Sequence, residues 1–255
     1  MKKYDVIIVG AGIAGLTAAI YVSRAGKSVL VLESTMQGGQ IINTINIENW
    51  PGDFKVSGAE LSQKIYKQAE GLGAEIDFDN VEKIEKITEG FRVVAEDDEY
   101  IAGAIILAVG ADPRKLSEKQ TQDAGKRPIS YCATCDGALY KGKPVVVVGS
   151  GNTAKHEMEY LQNIASKVYH IHHDDPIPED AEAVFVAIGR VPATGNFADL
   201  VDLDERGYVV AGEDCKTSTP GVFVAGDCRT KEIRQLVTAA ADGAVAATEA
   251  CRYLG

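Results

Sequence analysis

The stretch Gly10-Ala11-Gly12-Ile13-Ala14-Gly15 decides the fold. It follows an apolar run at residues 3–10 (KYDVIIVG) that predicts a buried strand, and it opens a segment with helical spacing. A second apolar run at residues 28–32 (SVLVL) completes a βαβ unit. In such a unit Gly10 permits the tight turn, Gly12 lets backbone N–H groups approach a pyrophosphate, and Gly15 lets the helix lie close to the strand.

An acidic residue stands where such a unit would bind a ribose. Glu33 lies 23 residues beyond Gly10, at the end of the second predicted strand, and its carboxylate can accept hydrogen bonds from a ribose 2′-hydroxyl. A carboxylate disfavours a 2′-phosphate at this place. The loop is therefore predicted to bind FAD or NAD in preference to NADP, and these residues alone do not choose between the two.

The pattern returns later in the chain, which indicates a duplication. A second strand, glycine loop and helix begin at residues 144–154 (PVVVVGSGNTA), with the second loop 139 residues after the first. The strand predicted at residues 221–225 has no partner in this second unit, so we expect it to return to the first domain. The predicted fold class is α/β, with one Rossmann-like domain (residues 1–112 and 196–255) into which a second (residues 113–195) is inserted.

Composition narrows the possible partners. The 255 residues carry a formal net charge of −11, which opposes a nonspecific interaction with nucleic acid or an anionic membrane. No apolar run reaches the roughly 18 residues that span a bilayer, and no cleavable leader precedes the first strand. We expect a cytoplasmic protein with neither nucleic acid nor a membrane as a partner.

Cys132 and Cys135 form a Cys-x-x-Cys pair just before the second glycine loop. Two thiols at this spacing can cycle between dithiol and disulfide, and Asp136 beside them can exchange the proton that this chemistry requires. A zinc site would need more ligands than the scattered remaining cysteines offer, so no metal is predicted. An inert buried pair remains an alternative for the cysteines. For Asp136, the alternative is that it only shapes the turn before Gly137.

Taken together, these motifs resemble the low-molecular-weight thioredoxin reductases, a family of two-domain flavoprotein disulfide reductases. The resemblance runs nearly end to end and is carried by GAGIAG (10–15), GGQ (38–40), ENWPG (48–52), CATCDG (132–137), GSGNTA (149–154), TPGVFVAGD (219–227) and RQL (234–236). It implies a homodimer that binds FAD in the first domain and acts on thioredoxin. It also implies roles for Cys135 facing the flavin, Cys132 attacking the substrate disulfide and Asp136 exchanging protons. The flavin-binding residues that it implies are Gly10, Gly12, Ala14, Gly15, Glu33, Gly39, Gln40, Asn49, Val81, Gly110, Gly226, Asp227, Arg234, Gln235 and Leu236.

The second glycine loop departs from this family. Members that use NADPH carry His-Arg-Arg after the second strand, whereas this chain has His172-His173-Asp174, with His172 at the place equivalent to Glu33. Only residues 174–182 separate this unit from the next strand, which is too short for a parallel crossover with a helix. The inserted domain is therefore predicted to be a truncated remnant that no longer binds NADPH, although loose binding of NADH remains an alternative.

Known relatives without a nucleotide site are ferredoxin-dependent flavin thioredoxin reductases, and the chain resembles these most. Residues 113–143 contain seven basic and three acidic side chains, and this positive charge would suit binding of an acidic donor such as ferredoxin. The same segment could instead bind thioredoxin, or be a solvated loop without a partner. The predicted function is electron transfer from ferredoxin through FAD and the Cys132/Cys135 disulfide to thioredoxin. The alternatives are a compact reductase that uses NADH or NADPH and a flavin/dithiol sensor without turnover.

Overall fold

The computed structural model describes residues 1–255 except for the side chain of residue 43. The strands are β1 (Lys2–Val9), β2 (Val29–Leu32), β3 (Glu75–Asp77), β4 (Val81–Ile87), β5 (Gly90–Ala95), β6 (Glu99–Leu107), β7 (Ala111–Pro113), β8 (Ile129–Ser130), β9 (Pro144–Val148), β10 (Lys167–Ile171), β11 (Ala183–Val186), β12 (Arg190–Pro192) and β13 (Val222–Val224). The α-helices are α1 (Ile13–Arg24), α2 (Gly58–Gly71), α3 (Glu118–Ala124), α4 (Ala133–Asp136), α5 (Asn152–Gln162) and α6 (Leu236–Leu254).

The chain forms two compact units, the second inserted into the first. Unit 1 comprises Met1–Ala111 and Pro192–Gly255, and unit 2 comprises Asp112–Val191. The sequence predicts domain boundaries after residues 112 and 195. The boundaries between the compact units lie after Ala111 and Val191, one and four residues earlier. The chain passes between the units through β7 and β12, which pair with each other.

Unit 1 is built on a seven-stranded sheet with the order β3-β2-β1-β6-β5-β4, and β13 also pairs with β6. The strands β1, β2, β3, β6 and β13 are parallel, whereas β4 and β5 are antiparallel. The predicted return of the strand near residue 222 to the first domain is confirmed, because Val222–Val224 pairs with Ile105–Leu107. One edge of β6 therefore pairs with β5 along the first half of the strand and with β13 along the second half.

Alternation along the central strands divides the core of unit 1 into two layers. Ile8 and Ile106 point towards α1, α2 and α6, while Ile7 and Ile105 point towards the opposite layer with Phe91. Both faces of the central strands are covered, which is why β1 and β6 are predicted by apolar runs and not by alternation of polar and apolar residues.

Unit 2 contains a four-stranded parallel sheet with the order β10-β9-β11-β8. The strand-helix-strand element from β9 through α5 to β10 matches the prediction. β8, which pairs with β11 through two residues, was not predicted. No helix or strand lies in residues 172–182, between β10 and β11, so the described part of the chain contains no second βαβ half in this unit.

No helix among the described residues is both long and apolar enough to cross a membrane.

Candidate functional site

In unit 1 the predicted nucleotide residues follow parallel strands. Gly10 follows β1, Glu33 follows β2, Gly110 follows β6 and Gly226 follows β13. The carboxyl ends of parallel strands lie at one edge of a sheet, and ligands of open α/β sheets bind outside this edge. Residues from four distant parts of the sequence are therefore collected along one border of the sheet.

The first glycine loop is tight at its ends and open in its middle. A Cβ atom added to Gly10 (φ +105°) would lie 2.5 Å from the Ala108 carbonyl oxygen, and one added to Gly15 would lie 1.9 Å from the Gly10 carbonyl oxygen. Gly12 is the N-cap of α1, and no side chain caps the helix there. A Cβ atom on Gly12 would meet nothing within 4 Å. The α1 N-terminus therefore faces a space that can admit an anion.

Glu33 is fixed beside this loop. Its side chain is buried, and its Oε2 atom accepts a hydrogen bond of 2.7 Å from the Ala11 N–H. Its Oε1 atom accepts from the Thr35 N–H at 3.1 Å. The carboxylate is thereby held next to the open part of the glycine loop, as recognition of a ribose requires.

Several other predicted residues approach one another in unit 1. A Cβ atom on Gly39 would lie 3.5 Å from the Gly12 Cα atom. Asn49 Nδ2 donates to Gln235 Oε1 at 3.2 Å, which joins the ENWPG segment to the start of α6. Gln40 Nε2 donates to the Ala111 carbonyl oxygen, next to Gly110.

Gly226 and Asp227 form a short 3₁₀ turn that packs directly on α1. A Cβ atom on Gly226 (φ +82°) would lie 2.9 Å from the Ala14 Cβ atom, so a side chain there would displace the helix. The Arg234 guanidinium donates to the carbonyl oxygens of Asp227, Lys231 and Arg229 at 3.3, 2.9 and 3.2 Å. Its observed contacts thus organise the loop that leads into α6.

A buried ion network supports this turn and was not predicted. Asp242 accepts from the Gly226 N–H at 3.0 Å, from Arg229 Nε and Nη2 at 2.9 and 2.8 Å, and from Lys231 Nζ at 2.7 Å. Burial alone would raise the pKa of Asp242, but the hydrogen bonds from Arg229 and Lys231 outweigh it and hold the pKa below its usual range. An aspartate within an otherwise Ala-rich helix is the sequence signal that could have revealed this site.

Two predicted residues have mainly core positions. Val81 is buried at the start of β4, in the same apolar cluster as Val9 and Leu32. Leu236 begins α6 and packs, partly buried, against the cluster on the α1 side of the sheet. The roles of all the predicted flavin residues stay predictions.

The dithiol of unit 2 is a disulfide between Cys132 and Cys135, whose Cα atoms are 5.3 Å apart. Cys132 is the N-cap of α4, and Cys135 and Asp136 donate backbone hydrogen bonds to the Cys132 carbonyl oxygen at 3.2 and 3.1 Å. Ser130 Oγ donates to Asp136 Oδ2 at 2.6 Å and also accepts from the Cys132 N–H at 3.2 Å. Asp136 is therefore held beside the disulfide by a hydroxyl, an arrangement in which the carboxyl group can exchange protons.

In the second glycine loop a histidine contacts the serine that follows the first glycine. Ser150 Oγ and His172 Nδ1 are 2.7 Å apart, at the place where Ala11 and Glu33 meet in unit 1. The turn at residues 172–175 is fixed by buried Gln120, whose Nε2 atom donates to the carbonyl oxygens of His172 and Asp175 at 3.3 and 3.1 Å. Gly151 nevertheless keeps open space, since a Cβ atom there would meet nothing within 4 Å.

Comparison with protein families matches residues 4–179 and 174–243 to the pyridine nucleotide-disulphide oxidoreductase family. The chain belongs to this family. Thioredoxin reductases of the family bind FAD, and FAD is the cofactor of the two-domain flavoprotein disulfide reductase fold seen here. The glycine loop fits this cofactor, because the space at Gly12 in front of α1 can hold a pyrophosphate and Glu33 lies beside it.

Individual relatives within the family include thioredoxin reductases. That of Listeria innocua is 36% identical over 301 aligned positions, which cover 99% of this chain and 94% of the relative. Because this chain has only 255 residues, at least 46 of the 301 positions in the alignment are gaps in this chain.

Solved structures agree with this assignment. The thioredoxin reductase of Streptococcus pyogenes has a TM-score of 0.91 at 33% identity, and the comparison covers 99% of this chain and 98% of that one. A ferredoxin-flavin thioredoxin reductase from Clostridium acetobutylicum has a TM-score of 0.63 at 29% identity, with 99% and 98% covered.

Proposed function

We propose that the chain is a thioredoxin reductase that receives its electrons from ferredoxin in place of a nicotinamide nucleotide. The observation that carries this proposal is the direct passage from β10 to β11. A dinucleotide is held between two mononucleotide-binding halves. Residues 172–182 contain no crossover helix, so unit 2 offers only one such half.

The residues that remain in unit 2 also oppose a 2′-phosphate. Asp174 stands where an arginine is expected in NADPH-dependent relatives, and a hydrogen bond from Ser117, followed by the neighbouring His173, lowers the pKa of its carboxyl group. A negative charge therefore persists at this place at neutral pH. His172 replaces the ribose-binding acid and is already engaged with Ser150.

Unit 1 supports the retention of the flavin. Its tight glycine loop, fixed glutamate and supported turn at Gly226 are complete, and we assign them to FAD binding with Gln40, Asn49, Gly110 and the residues of the RQL segment. When bound, the flavin can couple single-electron delivery to two-electron reduction of a disulfide. Such coupling is what a single-electron donor requires.

The protein residues then act on the disulfide. We assign Cys135 to contact with the flavin and Cys132 to attack on the disulfide of oxidised thioredoxin, through a mixed disulfide that Cys135 resolves. Asp136, held by Ser130, exchanges the proton. We also propose that the functional unit is a homodimer, as the resemblance to this family implies.

Surface charge is compatible with acidic partners. Within residues 113–143 the side chains of Arg114, Lys115, Lys119, Lys126, Lys141 and Lys143 are exposed. If they steer ferredoxin, the rate of flavin reduction by ferredoxin falls as salt is raised from 20 to about 300 mM, since screening shortens the range of the attraction.

The decisive experiment is anaerobic reduction of the flavin-loaded protein. Reduced ferredoxin should bleach the flavin absorbance rapidly, whereas NADPH and NADH at micromolar concentration should not. Rapid bleaching by either nucleotide would contradict the proposal. A His173→Arg/Asp174→Arg variant restores the missing charges without restoring the missing half, and it too should remain unreactive towards NADPH.

A second experiment tests the dithiol. Cys135→Ser should abolish thioredoxin reduction while ferredoxin still bleaches the flavin, and Cys251→Ser serves as the matched control because Cys251 lies in α6, outside the Cys-x-x-Cys pair. Turnover by Cys135→Ser would show that the assignment of the dithiol is wrong. If the unmodified protein shows no turnover with ferredoxin, NADPH or NADH, the alternative of a flavin/dithiol sensor is favoured.

One observation favours a compact NADH-dependent reductase as the second candidate. The loop keeps its open glycine, Gly151, at the N-cap of α5. This candidate predicts bleaching by NADH alone, and the same anaerobic measurement distinguishes it.

A further inference from the structure

Helix α5 packs against the dithiol turn of unit 2. A Cβ atom on Gly137, directly after α4, would lie 3.0 Å from Leu161 Cδ2 and 3.2 Å from Tyr160 Cε1. Glu157 lies four residues before Leu161 and so shares its face of the helix. The Glu157 carboxyl group accepts a hydrogen bond from the Ala133 N–H, the residue that follows Cys132.

The surroundings of Glu157 do not suit a carboxylate. Its Oε2 atom is buried and has no hydrogen-bond partner among the described residues. Burial raises the pKa of Glu157 to about 7, against the opposing effects of the Ala133 N–H from α4 and the positive charge of Arg190 from β12. Asp136, the acidic residue of α4, accepts a hydrogen bond from Ser130 Oγ at 2.6 Å.

Ionisation of Glu157 has a consequence for the neighbouring thiol. Reduction of the disulfide breaks the S–S bond, and two electrons and two protons from the reductant give two thiols. Cys132 then reacts as the thiolate, whose formation a nearby negative charge disfavours. A carboxylate bound to the Ala133 N–H places that charge beside the residue next to Cys132.

We propose that Glu157 is a positioning residue that sets the acidity of the Cys132 thiol, which ionises less readily when Glu157 carries a negative charge. This inference rests on the redox role proposed above for the dithiol and is independent of the electron donor. It makes the nucleophile of unit 2 sensitive to the protonation of a second carboxyl group, distinct from Asp136.

The test is the alkylation rate of Cys132 in the flavin-loaded protein. The disulfide is first reduced with dithiothreitol, which is oxidised to its cyclic disulfide. After anaerobic removal of the reagent, iodoacetamide is added between pH 6 and 9 and Cys132 is followed by peptide mass spectrometry. Glu157→Gln keeps an acceptor for the Ala133 N–H but removes the charge, and Glu159→Gln, exposed on the same helix, is the matched control.

For a coupling of about one pKa unit, Glu157→Gln should alkylate about three to five times faster than the unmodified protein at pH 8. The two rates should agree within about 1.3-fold at pH 6, because Glu157 is then protonated in the unmodified protein. A ratio that is constant across the pH range, or a similar effect of Glu159→Gln, would overturn the proposal. If Glu157→Gln does not fold, Glu157→Met replaces it with the same expectation.

The outcomes also separate this inference from the proposed function. If dithiothreitol produces no reactive Cys132 and Cys135 in the unmodified protein, the redox role of the dithiol itself fails. If both cysteines become reactive and Glu157→Gln leaves the Cys132 pH profile unchanged, only the role of Glu157 fails.

Discussion

Replacing Asp242 by Asn should cost unit 1 a large part of its stability. The carboxylate compensates two buried cations, Arg229 and Lys231, whose side chains are only 3% and 7% exposed. It also accepts the Gly226 N–H. An amide presents one acceptor and two donors to these three donor groups, so at least one donor loses its partner. Lys231 loses its buried counter-ion, and Arg229 keeps only the fully exposed Glu213 at 3.7 Å.

Removing one partner of a buried ion pair typically costs about 3 to 5 kcal/mol. The same range is expected here, out of a total stability that for most proteins is about 5 to 15 kcal/mol. Since Gly226 packs against Ala14 on α1, the loosened turn should also weaken retention of the flavin. The pKa of Asp242 is lowered in the folded state, so its contribution is present above the ordinary aspartate pKa and is lost as the pH falls below it.

The assay is urea unfolding followed by circular dichroism, with flavin release followed by fluorescence in the same samples. The control is Glu89→Gln, which breaks an ion pair with Lys3 whose side chains are 73% and 70% exposed, and which should cost less than about 1 kcal/mol. The reasoning is refuted if Asp242→Asn unfolds within about 1 kcal/mol of the unmodified protein at pH 7, or if its loss is as large at pH 3 as at pH 7.

Three further changes test the site and its surroundings. Gly15→Ala should destabilise the protein by at least about 2 kcal/mol in the same urea assay, because its Cβ atom would lie 1.9 Å from the Gly10 carbonyl oxygen. Gly12→Val should destabilise the flavin-free protein by only about 1 kcal/mol, because valine is a poorer N-cap than glycine. It should lower the affinity for FAD at least about tenfold by calorimetry, since its side chain enters the open space proposed for the pyrophosphate; equal effects of Gly12→Val and Gly15→Ala on unfolding would contradict this. Glu157→Gln should raise thermal stability at pH 8 but not at pH 4.5. The raised pKa of Glu157, about 7, means that stability present below the ordinary glutamate pKa is lost as the pH rises through 7, by roughly 3 kcal/mol. An equal shift at both pH values would argue against this.

The fold was predictable where short-range pattern decides it. The strand, glycine loop and helix at the start of each unit follow from apolar runs and from glycines that steric contacts require, such as Gly10 and Gly15. The return of β13 to unit 1 followed from the lack of a partner in unit 2. β8 could not be predicted, because the two residues Ile129–Ser130 are too short to show any periodicity.

The candidate site was predictable only as far as motifs reach. The Cys-x-x-Cys pair and Glu33 stand in recognisable spacing, whereas Glu157 lies in a helix of mostly polar residues and looks like an exposed glutamate. Its burial depends on the packing of α4 against α5, which no local pattern encodes. Likewise, Asp242 meets Arg229 and Lys231 only because α6 folds back on the turn after β13.

The insertion of unit 2 has a consequence for synthesis on the ribosome. The first 111 residues of unit 1 emerge without β13 and α6, whose partners in β6 and α1 must wait for the end of the chain. At roughly 5 to 20 residues per second, the remaining residues take on the order of 10 to 30 s to appear. The inserted unit is contiguous and can complete its own sheet in this interval. Meanwhile the apolar surface of α1 and the half of β6 that pairs with β13 stay uncovered. Nascent chains should therefore depend on chaperone protection until α6 docks.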